Sequence, residues 1–132
     1  MSYSSMPPGA QPYPYGPTPM SPSDETLWSV LVHVSVFVAP ILGPLLVLLI
    51  LKERSAVVAH HAREALNFHL TLTIVYTALG VVTVVSLFFA TPLTILLGGL
   101  VTVAGVVLPI LAAVAAGKRA PYRYPAAIRL VR

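Results

Sequence analysis

The residues best suited to chemistry are concentrated in one short stretch, HHAREALNFHL (60–70). It holds three histidines, an arginine, a glutamate and an asparagine within eleven residues. His60, Glu64 and Asn67 are spaced at i, i+4 and i+7, so a helix would place them on one face. A histidine and a carboxylate four residues apart can share a metal ion. Zinc sites usually need three or four protein ligands, however, and no HExxH motif is present, so we predict no metal site and no catalytic site here.

The composition favours a membrane protein. Of 132 residues, 57% are hydrophobic and only 9% are charged, against roughly 45–50% and about 25% in soluble domains. The chain has no cysteine, which excludes disulfides, thiolate catalysis and thiolate metal sites. The net charge of +4 is explained by contact with anionic headgroups, and we expect no nucleic-acid partner. We also expect no enzymatic activity and no cofactor, because the chain offers only four carboxylates and no nucleotide-binding motif.

The apolar pattern predicts an all-α membrane protein with three transmembrane helices. Residues 27–51 carry no formal charge, and neither do the 51 residues from 66 to 116, whereas one helical span needs about 20 residues. We therefore predict spans at about 27–51, 66–90 and 93–116. The first should be kinked at Pro40 and Pro44, since proline lacks a backbone donor.

The break between the second and third spans is expected at Thr91 and Pro92, with Gly98 and Gly99 as the competing position. Before the membrane domain (27–132), residues 1–26 contain seven of the thirteen prolines and no Lys or Arg. This composition predicts a disordered tail, partly polyproline II, and not a conventional cleavable signal peptide.

All eight basic residues fall on one side of a three-span arrangement. They occupy the first loop and its continuation (Lys52, Arg54, Arg63) and the C-terminal segment, residues 117–132 (Lys118, Arg119, Arg123, Arg129, Arg132). The positive-inside rule makes this side cytoplasmic in a bacterial inner membrane and puts the N-terminal tail outside. An alternative keeps the same charge segregation: Pro40 and Pro44 could fold the first segment into a re-entrant hairpin, with the tail inside.

His33 distinguishes these two arrangements. It is the lone ionisable residue inside the first apolar segment, where such a residue suggests a function by default. In a single spanning helix it would lie about 9 Å from the outer end, far from the histidines at the inner end of the second span. Only the re-entrant hairpin would bring His33 to them.

Two patterns in the later spans predict helix packing. Polar and small residues recur at helical spacing along the second span, where Asn67 and His69 should also bond to a neighbouring helix. The third span carries small-xxx-small pairs. Both favour close helix contacts in lipid, within the chain, in a homo-oligomer or with other membrane proteins; a hydrated pathway is the alternative for the second span. The polar and small set comprises His69, Thr73, Tyr76, Gly80 and Thr83, and the pairs are Gly98/Thr102, Ala112/Ala116 and Ala113/Gly117.

Two blocks carry a family resemblance. HHAREALNFHLTLTIVY and YRYPAAIRLV resemble the signature blocks of a family of small bacterial membrane proteins known as DUF4870, which is similar to the magnetosome protein MamF and distantly similar to the Tic20-type subunit of chloroplast import. The resemblance rests on His61, Ala62, Glu64, Ala65, Asn67 and Phe68, and on Tyr122, Arg123, Tyr124, Pro125, Ile128 and Arg129. It implies a multispanning helical protein that is not an enzyme. The predicted function is a scaffold or assembly factor acting through helix contacts, with a translocation component as the alternative.

Overall fold

The computed structural model describes residues 16–132, so most of the predicted tail, residues 1–15, lies outside the described residues. The described chain is helical. Its α-helices are α1 (Pro22–Val34), α2 (Leu42–Leu51), α3 (Ala56–Val85) and α4 (Thr91–Gly117), and one 3-10 turn, Ser35–Phe37, follows α1. The all-α prediction is confirmed, but the first five residues of α1, 22–26, lie inside the range predicted to be disordered.

The first apolar segment forms a hairpin of two short helices. The Ser21 side chain caps α1 by accepting a hydrogen bond from the backbone N–H of Asp24 at 3.2 Å. The backbone N–H of Met20 donates to the carbonyl of Arg54 at 3.2 Å, so the beginning of α1 meets the end of α2. The prediction of one kinked span over 27–51 is therefore wrong, and the segment folds back on itself at Pro40 and Pro44, as in the alternative prediction of a hairpin.

Proline and glycine placement explains the hairpin. Pro40 lies in the turn, and Pro44 lies in the first turn of α2, where a missing N–H removes no helical hydrogen bond. The backbone of Gly43 lies against Ser35, and an added Cβ at Gly43 would lie 2.5 Å from Oγ of Ser35. The absence of a side chain at Gly43 allows α2 to turn back against the end of α1.

The second hairpin is formed by α3 and α4. The Ser55 side chain caps α3 by accepting from the N–H of Val58 at 3.2 Å. With 30 and 27 residues, α3 and α4 extend about 45 Å and about 40 Å, and both are long and apolar enough to cross a membrane. They are joined by residues 86–90, just before the predicted break at Thr91, while Gly98 and Gly99 lie inside α4.

The core lies at one end of the molecule. All buried residues of α3 fall between Val58 and His69, where α1, α2 and the C-terminal segment pack around it. Beyond this region α3 and α4 face outwards with largely apolar side chains. A soluble protein would bury such a surface, whereas lipid can cover it at no cost.

The charged residues gather at the core end. The Ser55 hydroxyl donates to the Glu25 carboxylate at 2.6 Å, and the Arg119 guanidinium donates to the carbonyl of Pro22 at 3.0 Å. These bonds join the start of α1, the start of α3 and the end of α4. The prediction that the tail and the basic loop lie on opposite sides depended on a single first span, and the hairpin instead places residues 16–21 beside the basic loop.

Candidate functional site

The polar face of α3 holds the C-terminal segment, and Asn67 is its most complete contact. Its Nδ2 donates to the carbonyl of Val131 at 2.9 Å. Its Oδ1 accepts from the backbone N–H groups of Leu130 at 2.9 Å and Val131 at 2.7 Å. The side chain, only 1% exposed, therefore binds the backbone in the way a neighbouring strand would. One helical turn further, Oγ1 of Thr71 accepts from the N–H of Ile128 at 2.9 Å.

Glu64 is the buried carboxylate of this face. Its Oε2 accepts from the N–H of Tyr124 at 2.9 Å and lies 3.1 Å from a guanidinium nitrogen of Arg129. Arg129 also donates to the carbonyl of Ala127 at 2.6 Å. A carboxylate buried without such partners would be strongly destabilising, so the ion pair explains why Glu64 can occupy the core.

Tyr124 connects the C-terminal segment to the aromatic core. Its ring stacks on Phe68 with centroids 4.2 Å apart and planes 14° from parallel. Burial raises the pKa of the Tyr124 hydroxyl above its usual value, and nearby Tyr122 and Glu64 raise it further. Burial also raises the pKa of Tyr122. Tyr124 therefore remains a neutral hydrogen-bonding group at physiological pH.

A chain of hydrogen bonds runs from Tyr124 into the first hairpin. The Tyr124 hydroxyl lies 3.0 Å from Nδ1 of His33, and Nε2 of His33 lies 3.0 Å from Nδ1 of His61. One proton can occupy the space between the two imidazoles, so they cannot both be doubly protonated in this geometry. His60 lies to the side and bonds through Nε2 to the carbonyl of Tyr122 at 3.1 Å.

The structure thus brings both sequence blocks together. Three residues of the first block, Glu64, Asn67 and Phe68, contact the segment that begins at Tyr122. His61 contacts His33, which bonds to Tyr124 of that segment. Sequence reasoning missed the pairing of the two blocks with each other, and it missed Thr71 altogether. His33 was the sequence signal for the hairpin, because of the two predicted arrangements only the hairpin brings this histidine to those of the second span, but it did not indicate the contact between the two blocks.

The remaining predicted residues lie around this core. Arg63 is half-buried, and His69 is buried and bonds through Nδ1 to the carbonyl of Ala65 in its own helix at 3.1 Å. Within residues 16–132, the neighbouring-helix partner predicted for His69 is not found. The other predicted membrane-interface residues without a buried contact are exposed; they are Lys52, Arg54, Lys118, Arg119 and Arg132. Arg123 and Pro125 of the family signature are exposed as well.

The polar residues of the second span bond within the α3–α4 hairpin. Tyr76 contacts Thr102 through their hydroxyls at 2.8 Å, and Thr83 contacts Thr94 in the same way at 2.8 Å. Thr73 donates to the carbonyl of His69 in its own helix. The predicted helix contact is therefore found at Tyr76 and Thr83, whereas Thr73 bonds within α3 and, in the described chain, an added Cβ at Gly80 would have no neighbouring helix within 4 Å. None of these bonds favours a hydrated pathway.

The small residues of α4 also pack within the chain. Ala112 and Ala116 are 0% and 2% exposed, and Ala112 joins a cluster with Val36, Ala65 and Phe68. Gly98 lies close to Leu79 of α3. The predicted small-xxx-small contacts thus form between helices of one chain.

The polar groups of this site bind other parts of the same chain. Across residues 16–132 no group of three or more His, Cys, Asp or Glu side chains lies close enough to hold a metal ion. The carboxylate of Glu64 and both ends of the Asn67 amide are already engaged. The chemistry available to this face is therefore the holding of the C-terminal segment.

These features define a small helical membrane protein with two apolar helices of spanning length and a polar core at one end. The chain belongs to the MamF/MmsF family, described as the magnetosome magnetite crystal formation protein family, which it matches over residues 24–131. The match includes both signature blocks and confirms the predicted resemblance to MamF, whereas the links to DUF4870 and to the Tic20-type subunit stay predictions. Neither the curated proteins nor the solved structures gave a match.

Proposed function

We propose that this protein is a non-enzymatic membrane scaffold or assembly factor in magnetite crystal formation. The observation that carries the proposal is the use of the polar signature residues, because Glu64 and Asn67 hold the backbone of the C-terminal segment. A reactive site would leave such groups facing a substrate. Membership of the MamF/MmsF family indicates the process, which is magnetite crystal formation.

The arrangement in the membrane follows from the charges. The α3–α4 hairpin crosses the bilayer, and the α1–α2 hairpin enters it and returns to the same side. The end that carries the basic residues faces the cytoplasm by the positive-inside rule, and residues 16–21 lie on that same side. The protein resides in the bacterial inner membrane or a membrane continuous with it, where its partners are lipids, further copies of itself or other membrane proteins.

Cysteine labelling tests this topology cleanly, because the chain has no native cysteine. Single cysteines would replace Gly16, Lys118 and Phe89, which are exposed at the tail, the basic end and the α3–α4 turn. An impermeant maleimide should label the first two from one side of the membrane and the third from the other. Labelling of Gly16→Cys and Phe89→Cys from the same side would overturn the hairpin topology.

The scaffold role is tested in a magnetite-forming bacterium whose own copy is replaced by variants. Asn67→Leu frees the end of the C-terminal segment. Thr77→Val is the control, since in the described part of the chain the Thr77 side chain bonds only to the carbonyl of Thr73 in its own helix. Electron microscopy should show altered crystal size or number for Asn67→Leu at equal protein level and normal crystals for Thr77→Val. Normal crystals in a strain lacking the protein would refute the role.

Partner contacts are tested separately by crosslinking in intact membranes. A scaffold should be recovered with further copies or other membrane proteins, and recovery of isolated monomers alone would contradict the scaffold proposal. No observation in the described residues favours translocation as a second function.

A further inference from the structure

A pocket with a largely apolar lining and a few polar groups lies beside the core at the charged end, where the start of α3 meets the start of the C-terminal segment. Its outer part has a volume of about 380 Å³ and is lined by Ala56, Val57, His60, His61, Arg119 and Pro121. A smaller inner recess of about 50 Å³ shares Val57, His61 and Arg119 with it. The pocket therefore lies at the junction of α1, α3 and the end of α4.

The pocket contains hydrogen-bond donors without acceptors. Ala56 and Val57 form the first turn of α3, and within residues 16–132 their backbone N–H groups have no partner. The amino end of a 30-residue helix also carries partial positive charge, and unpaired N–H groups at such an end favour anions. No acidic residue lies in the first turn of α3 itself, although the Glu25 carboxylate of α1 reaches the N-cap, where the Ser55 hydroxyl donates to it at 2.6 Å.

Two buried side chains point independently to a ligand. The hydroxyl of Ser29, a residue only 1% exposed, lines the inner recess and has no hydrogen-bond partner in the described chain. His61 is 2% exposed and lines both parts of the pocket, and among residues 16–132 its side chain makes a hydrogen bond through Nδ1 alone. When Tyr124 donates to His33, and His33 to His61, Nε2 of His61 carries a proton and becomes a donor to the pocket.

Arg119 supplies the formal charge. Its guanidinium donates to the carbonyl of Pro22 and lies 3.5 Å from the Glu25 carboxylate, with the side chain 53% exposed. Glu25 belongs to the inner recess and is engaged by the Ser55 hydroxyl at 2.6 Å. The outer pocket thus keeps guanidinium N–H groups, helix N–H groups and an imidazole, a set of donors that matches the oxygens of a phosphate group.

We propose that this pocket binds a phosphate group, supplied either by a phospholipid headgroup or by a soluble phosphate. The charged end of the molecule is where headgroups would lie, and the apolar side chains of Val57 and Pro121 at the pocket can contact the glycerol and first acyl carbons. The binding is independent of any role in crystal formation.

The test uses the full-length protein in detergent micelles and native mass spectrometry. Phosphatidic acid is compared with diacylglycerol, which has the same acyl chains and no phosphate. The protein should retain phosphatidic acid and not diacylglycerol. Arg119→Gln should weaken retention about tenfold, as expected for the loss of one partly exposed charge-assisted hydrogen bond. Arg123→Gln removes the same charge from an exposed position that does not line the pocket and should leave retention unchanged.

A second variant keeps the test decisive if Arg119→Gln disturbs the fold. Val57→Glu places a carboxylate at a position that is 45% exposed and should abolish retention with unchanged circular dichroism. Inorganic phosphate then identifies the source: failure to displace phosphatidic acid at millimolar concentration assigns the site to lipid, and displacement assigns it to a soluble phosphate. Equal retention of diacylglycerol, or equal losses in Arg119→Gln and Arg123→Gln, would overturn the proposal.

Discussion

Replacement of Asn67 by leucine isolates the contribution of one side chain to the attachment of the C-terminal segment. The substitution keeps the approximate volume and removes three hydrogen bonds to the backbone of Leu130 and Val131. Each is worth about 0.5–1.5 kcal/mol net. Because the end of the segment is partly exposed, water can replace part of the loss, and we expect the opening free energy of this end to fall by about 2–3 kcal/mol.

Amide hydrogen exchange measures this opening directly. A loss of about 2–3 kcal/mol corresponds to exchange about 30- to 150-fold faster at Leu130 and Val131, since about 1.4 kcal/mol is a factor of ten. Tyr124 is held separately by Glu64, so its amide should accelerate much less. Thr77→Val is the control and should leave all three amides unchanged.

Two exchange results would contradict this prediction. If exchange at Leu130 and Val131 changes less than threefold in Asn67→Leu, the Asn67 amide does not hold the segment. If Tyr124 accelerates as much as Val131, the segment opens as one unit and the separate role of Glu64 is wrong.

Three further predictions concern packing and ionisation. Gly43→Ala should destabilise the protein by about 1–3 kcal/mol in detergent unfolding, because the new Cβ overlaps Ser35. Gly99→Ala is the control, because no atom of the described chain lies within 4 Å of the added Cβ, and it should be neutral or stabilise the protein by about 0.5–1 kcal/mol. Equal effects of the two substitutions would contradict the tight hairpin. Tyr124→Phe should keep the stacking but leave Nδ1 of His33 unpaired, lowering unfolding free energy by about 1–3 kcal/mol, and an unchanged midpoint would argue against that bond. The folded-state pKa of Tyr124 is raised, so the folded chain keeps a proton that the unfolded chain loses near pH 10. The contribution of the Tyr124 hydroxyl to stability is therefore present below that pH and is lost as the pH rises above it. Tyr124→Phe should show a smaller loss of stability at alkaline pH than the unchanged protein.

The sequence by itself determined the helical class, the membrane environment and the segregation of charge. These follow from composition and from runs of apolar residues, because a chain with so few charged side chains cannot cover a soluble surface. The residues of the later site were also recognised, since Glu64, Asn67 and Tyr124 are polar or aromatic groups at the edges of apolar spans. The residues that these three side chains contact were not recognised from the sequence.

The tertiary structure decided the path of the first apolar segment and the pairing of the two signature blocks. Hydropathy is the same for one kinked span and for two short helices, so Pro40 and Pro44 were compatible with either. The choice depends on contacts distant in sequence, above all those of His33 with His61 and Tyr124 at 3.0 Å. A hydrogen bond between residues 28 or 91 positions apart leaves no periodicity along the chain, and only the packed helices bring its two ends together.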